Sequence, residues 1–150
     1  MRIHHATLPA RDPDHVATVL AEILGARKVA AFHPEGSFFV TGDEPDGTLL
    51  EIWPAGTRAA VGEHHLTVTE QPLPEAWPHH CYVSCETDAE TILGVFEREG
   101  WKADQVHNGP PQAGFDLIRG WIENHAVIEV VTPDMRTQYE KFIAMALAPR

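Results

Sequence analysis

Two copies of one sequence pattern lie in this chain, and a duplicated pattern confines the fold to two equivalent modules that share a plan. His5 opens a strand-like stretch, Asp12 starts a helix and Gly25 stops it; adding 75 gives His80, Thr87 and Gly100, the same three events. Later, Thr48-Leu49-Leu50-Glu51-Ile52-Trp53-Pro54 is echoed by Ala126-Val127-Ile128-Glu129-Val130-Val131-Thr132-Pro133 at an offset of 78. Each half therefore carries one strand His and one Glu inside an apolar run: His5 with Glu51, and His80 with Glu129. A repeated His-plus-Glu unit points to four metal ligands converging near a pseudo-two-fold axis.

The local signals give each module the order strand, helix, strand, strand, strand. Residues 2–10 read as a strand, and Asp12-Pro13 as a helix entry, with Asp as N-cap and Pro where its missing N–H is no loss. Val16, Val19, Leu20, Ile23 and Leu24 recur at helical spacing before Gly25. Lys28–Phe32, Ser37–Thr41 and Leu49–Trp53 follow as strands, split by Pro- and Gly-containing turns. In the second copy His79–Cys85 is a strand, Thr87 to Glu90 a capping box, and Ile92, Leu93 and Phe96 the buried stripe. Strands are expected near Lys102–His107, Phe115–Gly120 and Ala126–Val131. The resulting α+β division is a βαβββ module over 1–54, a linker over 55–78 with a short strand at His65–Thr69, a second module over 79–132, and a C-terminal helix within 133–150. In that last helix Tyr139, Phe142, Ile143 and Leu147 are expected to face inward.

Composition excludes several classes of partner. With 11 basic against 22 acidic residues the formal net charge is −11, and no Lys/Arg cluster overrides it. Nucleic acid and anionic membranes are thus unfavourable partners. No apolar run approaches the ~20 residues of a membrane span. The start, Met1-Arg2-Ile3-His4-His5, lacks the layout of a secretion signal, so a cytoplasmic location is the default expectation. Cys81 and Cys85 on one strand would stand ~13 Å apart, beyond disulfide reach, and read as small buried apolar groups.

Strand parity separates the side chains. Ala6, Leu8 and Ala10 share a face suited to the helix, which leaves His5 on the opposite face; Cys81, Val83 and Cys85 likewise leave His80 opposite. Glu51 and Glu129 lie in runs apolar enough for central strands covered on both sides. A carboxylate there needs a cation, a hydrogen-bond network or a proton. The bland alternative for one such Glu is a salt bridge to an Arg such as Arg119. Two imidazoles and two carboxylates carry −2, which one divalent ion cancels. Mixed N/O donors suit zinc, nickel, manganese, cobalt or ferrous iron. His64 and His65 lie in the linker, His15 is expected on the exposed side of the first helix, and His33, His107 and His125 fall in turn-like stretches without an acidic partner at diagnostic spacing.

Paired modules with His on the first strand and Glu on the last resemble the vicinal oxygen chelate superfamily, which includes glyoxalase I, extradiol dioxygenases and the bleomycin- and fosfomycin-resistance proteins. The resemblance covers about residues 2–132, and its nearest pattern is bacterial glyoxalase I. It implies a curved eight-stranded mixed sheet of glyoxalase-like fold, metal ligands His5, Glu51, His80 and Glu129, and homodimers. It also implies proton transfer on a small oxygen-chelating substrate through a metal-stabilised enediolate, with Glu129 or Glu51 as the base. Asp43-Glu44-Pro45-Asp46-Gly47 is similar to the family's Asp-Pro-Asp-Gly turn, which Ile122-Glu123-Asn124-His125 does not repeat. Arg58, Lys28 and Arg119 are loose candidates for holding glutathione. A metal-free drug- or metabolite-binding protein, its aromatic surfaces drawn from Trp53, Trp77, Trp101, Trp121 and Tyr82, remains the alternative from another class. An extradiol-type dioxygenase is the alternative within the fold, weakened by a fourth ligand.

Overall fold

The computed structural model describes residues 4–43, 48–59, 66–68 and 80–146. The chain divides into two compact units, Met1–Pro78 and His79–Arg150. Leu147 and most of the interval 60–79, including His64, His65 and Trp77, lie outside the described residues.

In the first unit β1 (His5–Ala10) leads into α1 (Pro13–Leu24), then β2 (Arg27–Ala30), β3 (Phe38–Thr41) and β4 (Leu49–Pro54). The sheet order is β1-β4-β3-β2, with β1 and β4 parallel and the other neighbours antiparallel. Asp12 caps α1 by accepting from the His15 N–H, Pro13 begins the helix, and Gly25 ends it with φ of 61°. Leu8, Ala10, Val40, Leu50 and Ile52 meet Val16, Val19, Leu20 and Ile23 in the core. The face bearing His5 and Glu51 is therefore the one turned away from α1.

The second unit repeats the plan with β7 (His80–Ser84), α2 (Ala89–Arg98), β8 (Ala103–Asn108), β9 (Phe115–Ile122) and β10 (Ala126–Val131) in the order β7-β10-β9-β8. Within unit 1, after its βαβββ module, β5 (Thr57–Ala59) and β6 (Leu66–Val68) form an antiparallel pair. The linker thus contains the expected strand and a second one that directly extends the first module. The eight module strands fall into two four-stranded mixed sheets, as the βαβββ reading requires.

Two local expectations are corrected. Asp88, not Thr87, caps α2: its carboxylate accepts from the Thr91 N–H at 2.9 Å and the Thr91 hydroxyl at 2.8 Å. A carboxylate satisfies two donors where Thr87 would satisfy one, so the helix starts one residue later. The double cover expected of both Glu-bearing strands holds for β10, whose residues are buried except Val127. On β4 the Glu51 face stays half-buried.

In unit 2 the α2 side of the sheet is tight. A Cβ at Gly120 would overlap the Phe96 ring, which explains a glycine inside a central strand. On the other face α3 (Pro133–Ala146) packs its aromatic side chains against the sheet. Tyr139 lies 4.5 Å from Tyr82 and 5.1 Å from Phe115, and Phe142 lies 5.1 Å from Phe115, centroid to centroid. Among the described residues no helix is long and apolar enough to cross a membrane.

Candidate functional site

Parallel pairing of the first and last strands of each module places a His beside a Glu. In unit 1 the register sets Thr7 against Glu51, with His5 two residues before Thr7 on the same face. His5 Nε2 stands 3.9 Å from Glu51 Oε2, the imidazole largely exposed and the carboxylate 16% exposed. The Thr7 hydroxyl donates to that same Oε2 at 3.1 Å.

Unit 2 reproduces the pair more tightly. Glu129 faces Tyr82 in register, His80 is two residues before Tyr82, and His80 Nε2 lies 3.3 Å from Glu129 Oε2. The Glu129 side chain is only 8% exposed. Its charge is met from the other neighbouring strand, where Arg119 sits opposite it in register. Arg119 donates to Glu129 Oε1 from Nε at 3.0 Å and from Nη2 at 2.7 Å. The salt bridge weighed for Arg119 is thus real, and burial of Glu129 does not by itself demand a metal. Within unit 2, Arg119 balances the charge of Glu129.

Thr7 and Tyr82 occupy equivalent places, each opposite its Glu. The Thr7 hydroxyl fastens Glu51; the Tyr82 hydroxyl is buried and has no hydrogen-bond partner among the described residues. Burial, with Tyr139 and Glu129 nearby, pushes the Tyr82 phenol well above its ordinary range, so it stays protonated. Trp53, on the Glu51 face of β4, also has a buried Nε1–H without a described partner. Strand patterning alone does not expose Thr7 and Tyr82. The signal was the 75-residue offset itself, which pairs residue 7 with residue 82 as surely as it pairs the histidines.

The structure brings His5 to Glu51 and His80 to Glu129. Among the described residues no group of three or more His, Cys, Asp or Glu is arranged to hold a metal. Two ligands at ~2.1 Å and right angles on one ion are ~3 Å apart; the His80–Glu129 pair at 3.3 Å is close to that spacing and the His5–Glu51 pair at 3.9 Å is wider. Two of the loose cation candidates are engaged elsewhere. Lys28 is bound to Asp14 and Thr18 on α1, and Arg58 Nη1 donates to the Thr57 carbonyl. Trp101 is partly buried and sits edge-on against Phe96.

No protein-family model matches the sequence, and no curated protein matches it. Solved structures do. Fosfomycin resistance protein FosX from Listeria monocytogenes superposes with a TM-score of 0.62 at 12% identity, covering 93% of this chain and 97% of that one. Oxidase ChaP-H2 gives 0.55 at 22% identity, covering 88% and 93%. A glyoxylase/bleomycin resistance/dioxygenase domain from Frankia sp. gives 0.56 at 15% identity, covering 88% and 97%. A variant of the Listeria FosX, complexed with Mn(II) and 1S,2S-dihydroxypropylphosphonic acid, is similar at 0.55 and 13% identity. The chain therefore shares the fold of these structures, two βαβββ modules of the glyoxalase-like type.

Proposed function

We propose that His5, Glu51, His80 and Glu129 together hold one divalent ion, and that the protein is a metal-dependent, glyoxalase-like enzyme. Its reaction would be proton transfer between adjacent carbons of a small substrate that chelates through neighbouring oxygens. The single observation carrying this reading is that both units set a His Nε2 beside a Glu Oε2 on the sheet face opposite α1 or α2, at 3.9 and 3.3 Å. Zinc, nickel, manganese, cobalt and ferrous iron all suit such donors; the Mn(II) complex of a FosX variant of the same fold supports a divalent ion in general.

When bound, the ion supplies Lewis-acid charge that stabilises negative charge developing on substrate oxygens. The protein's own groups then divide the remaining work. Arg119 fixes Glu129 by two hydrogen bonds to Oε1 and leaves Oε2 facing His80. Glu51 is held by one hydroxyl and is freer to swing. Of the two candidate bases, Glu51 and Glu129, the looser Glu51 moves the proton and the fixed Glu129 remains a ligand. Tyr82 and the α3 aromatics lie on the Glu129 face of unit 2, and Trp53 lies on the Glu51 face of unit 1.

Elemental analysis of protein purified without a His tag tests the reading. Near one divalent ion per site is expected, lost in Glu129→Gln, with turnover of 2-oxoaldehyde adducts abolished in Glu51→Gln. Metal-free protein whose function survives both substitutions overturns it. Light scattering on the loaded protein tests the homodimer that the resemblance implies.

The Arg119–Glu129 pair also favours a second reading, a metal-free binder, because it satisfies Glu129 without an ion. Ligand affinity unaltered by a chelator, followed by tryptophan fluorescence, would establish the binder. Turnover of catechols with added ferrous iron would instead establish a dioxygenase.

A further inference from the structure

His107 is met at both ring nitrogens by oxygen atoms. Nδ1 stands 2.8 Å from Asp116 Oδ1 across the β8–β9 ladder, and Nε2 stands 3.3 Å from the Pro110 carbonyl in the turn joining those strands. A carbonyl and an ionised carboxylate only accept, so both contacts are hydrogen bonds only when the ring donates from each nitrogen. A neutral ring donates from one nitrogen and sets the lone pair of the other against an oxygen. The turn is shaped to this ring: a Cβ at Gly114 would overlap the imidazole and the Asn108 carbonyl.

The same hairpin end carries α3. The Asp116 N–H donates to Gln138 Oε1 at 2.8 Å. Phe115, between Gly114 and Asp116, is buried against Tyr139 and Phe142. A Cβ at Gly109 would stand 3.3 Å from Phe142 Cε2. Tyr139 also packs on Tyr82, which faces Glu129 in register. Met135, near the start of α3, is buried, whereas Tyr139, Phe142 and Ile143 are only partly so. The second half of the helix therefore leans on the turn that His107 holds.

We propose that His107 is a proton-operated latch: its imidazolium closes the turn over residues 109–114 and seats the second half of α3, and its neutral form releases both and uncovers Tyr82 on the Glu129 face. Every contact in this coupling lies within unit 2, and none involves an ion. The surroundings favour the charged ring. Asp116 is its first neighbour and shares a cavity with Glu86, Asp88 and Asp134, of which Glu86 is paired with Arg136. Residues 109–114 carry no charge, and Glu140 and Lys141 on α3 are exposed. The Asp116 bond, and then the Pro110 carbonyl, raise the His107 pKa above the ordinary 6.5 against the opposing effect of burial. A pKa raised in the closed form makes closure firmest below about 6.5 and weaker as pH rises through the closed-form value.

Amide hydrogen exchange on the natural protein, corrected for the intrinsic pH dependence of exchange, tests this at about pH 5.5 and about pH 8.5, either side of an imidazole's range. Protection of amides 112–114 and 139–146 should fall roughly three- to tenfold at the higher pH, the worth of one hydrogen bond, while β10 keeps its protection. The midpoint of that fall should coincide with the titration of the His107 ring followed by proton NMR. In His107→Gln, whose side chain does not titrate, the same amides should show no change between the two pH values. Protection independent of pH in the natural protein, a fall that survives in His107→Gln, or a loss spread evenly over unit 2 overturns the proposal. Should His107→Gln not fold, the coincidence of the two midpoints decides on the natural protein alone, and separate midpoints overturn it.

Discussion

Arg119 donates twice to one oxygen of Glu129, at 3.0 and 2.7 Å, while the other oxygen faces His80 at 3.3 Å. The pair is lopsided in burial, with Arg119 34% and Glu129 8% exposed. Removing either partner should therefore cost different amounts. In metal-free protein Arg119→Met strands a buried carboxylate and should cost about 3 kcal/mol. Glu129→Gln leaves a guanidinium that reaches water and keeps an acceptor, at about 1 kcal/mol. Urea unfolding of both variants measures the difference, and equal costs would contradict it.

Metal should stabilise the fold through its donors. At a free concentration one hundred times Kd a bound ion adds about 2.7 kcal/mol, seen as a rise in Tm. His5→Ala and His80→Ala, both at exposed imidazoles, should lose that rise while their metal-free Tm stays near the natural protein's. A rise retained in both would exclude these imidazoles as ligands.

Thr7 and Tyr82 should respond oppositely to loss of a hydroxyl. Thr7→Val removes the donor to Glu51 and should cost roughly 0.5–1 kcal/mol. Tyr82→Phe removes a buried hydroxyl without a described partner, and should be neutral or stabilising by up to about 1 kcal/mol. Chemical denaturation compares them directly.

Gly120→Ala should destabilise the second unit by roughly 1–3 kcal/mol or more, because the new methyl overlaps Phe96. Phe96→Leu in the same chain should recover part of that loss, as only a true clash predicts. A double variant no better than Gly120→Ala would place the strain elsewhere.

His107 supplies a pH dependence. The Asp116 carboxylate at 2.8 Å, and then the Pro110 carbonyl at 3.3 Å, raise its pKa above the ordinary 6.5. A pKa higher in the folded than in the unfolded chain means the stabilisation is full below about 6.5. It is lost as pH rises through the folded value. Proton NMR should show His107 titrating above 6.5, and Asp116→Asn should bring the midpoint down and flatten the stability profile there. An unmoved midpoint would refute the pairing.

What the sequence made legible was whatever the duplication repeats. The module order, the helix stop at Gly25 and the side of the sheet that His5 and His80 occupy follow from period and parity, and the structure has them. The fastening of the Glu side chains was not legible, because it depends on cross-strand register. Glu129 meets Arg119 only because β9 and β10 pair as they do, and the equivalent neighbour of Glu51 is Phe39. The cap at Asp88 was missed by one residue, since Thr87 and Asp88 are both good caps and only the geometry of Thr91 chooses. The linker strand expected at His65–Thr69 is β6, whereas its partner β5 was missed, being three residues long and too short for an alternation to register.

Each His–Glu contact joins the opening strand of its module to the closing one. An ion clasped there would act as a buckle: it ties the two ends of the module and opposes the peeling of either outer strand. Fraying of β1 or β7 would then release the cargo before the helices melt, so hydrogen exchange along those two strands should report occupancy more sensitively than any global unfolding curve.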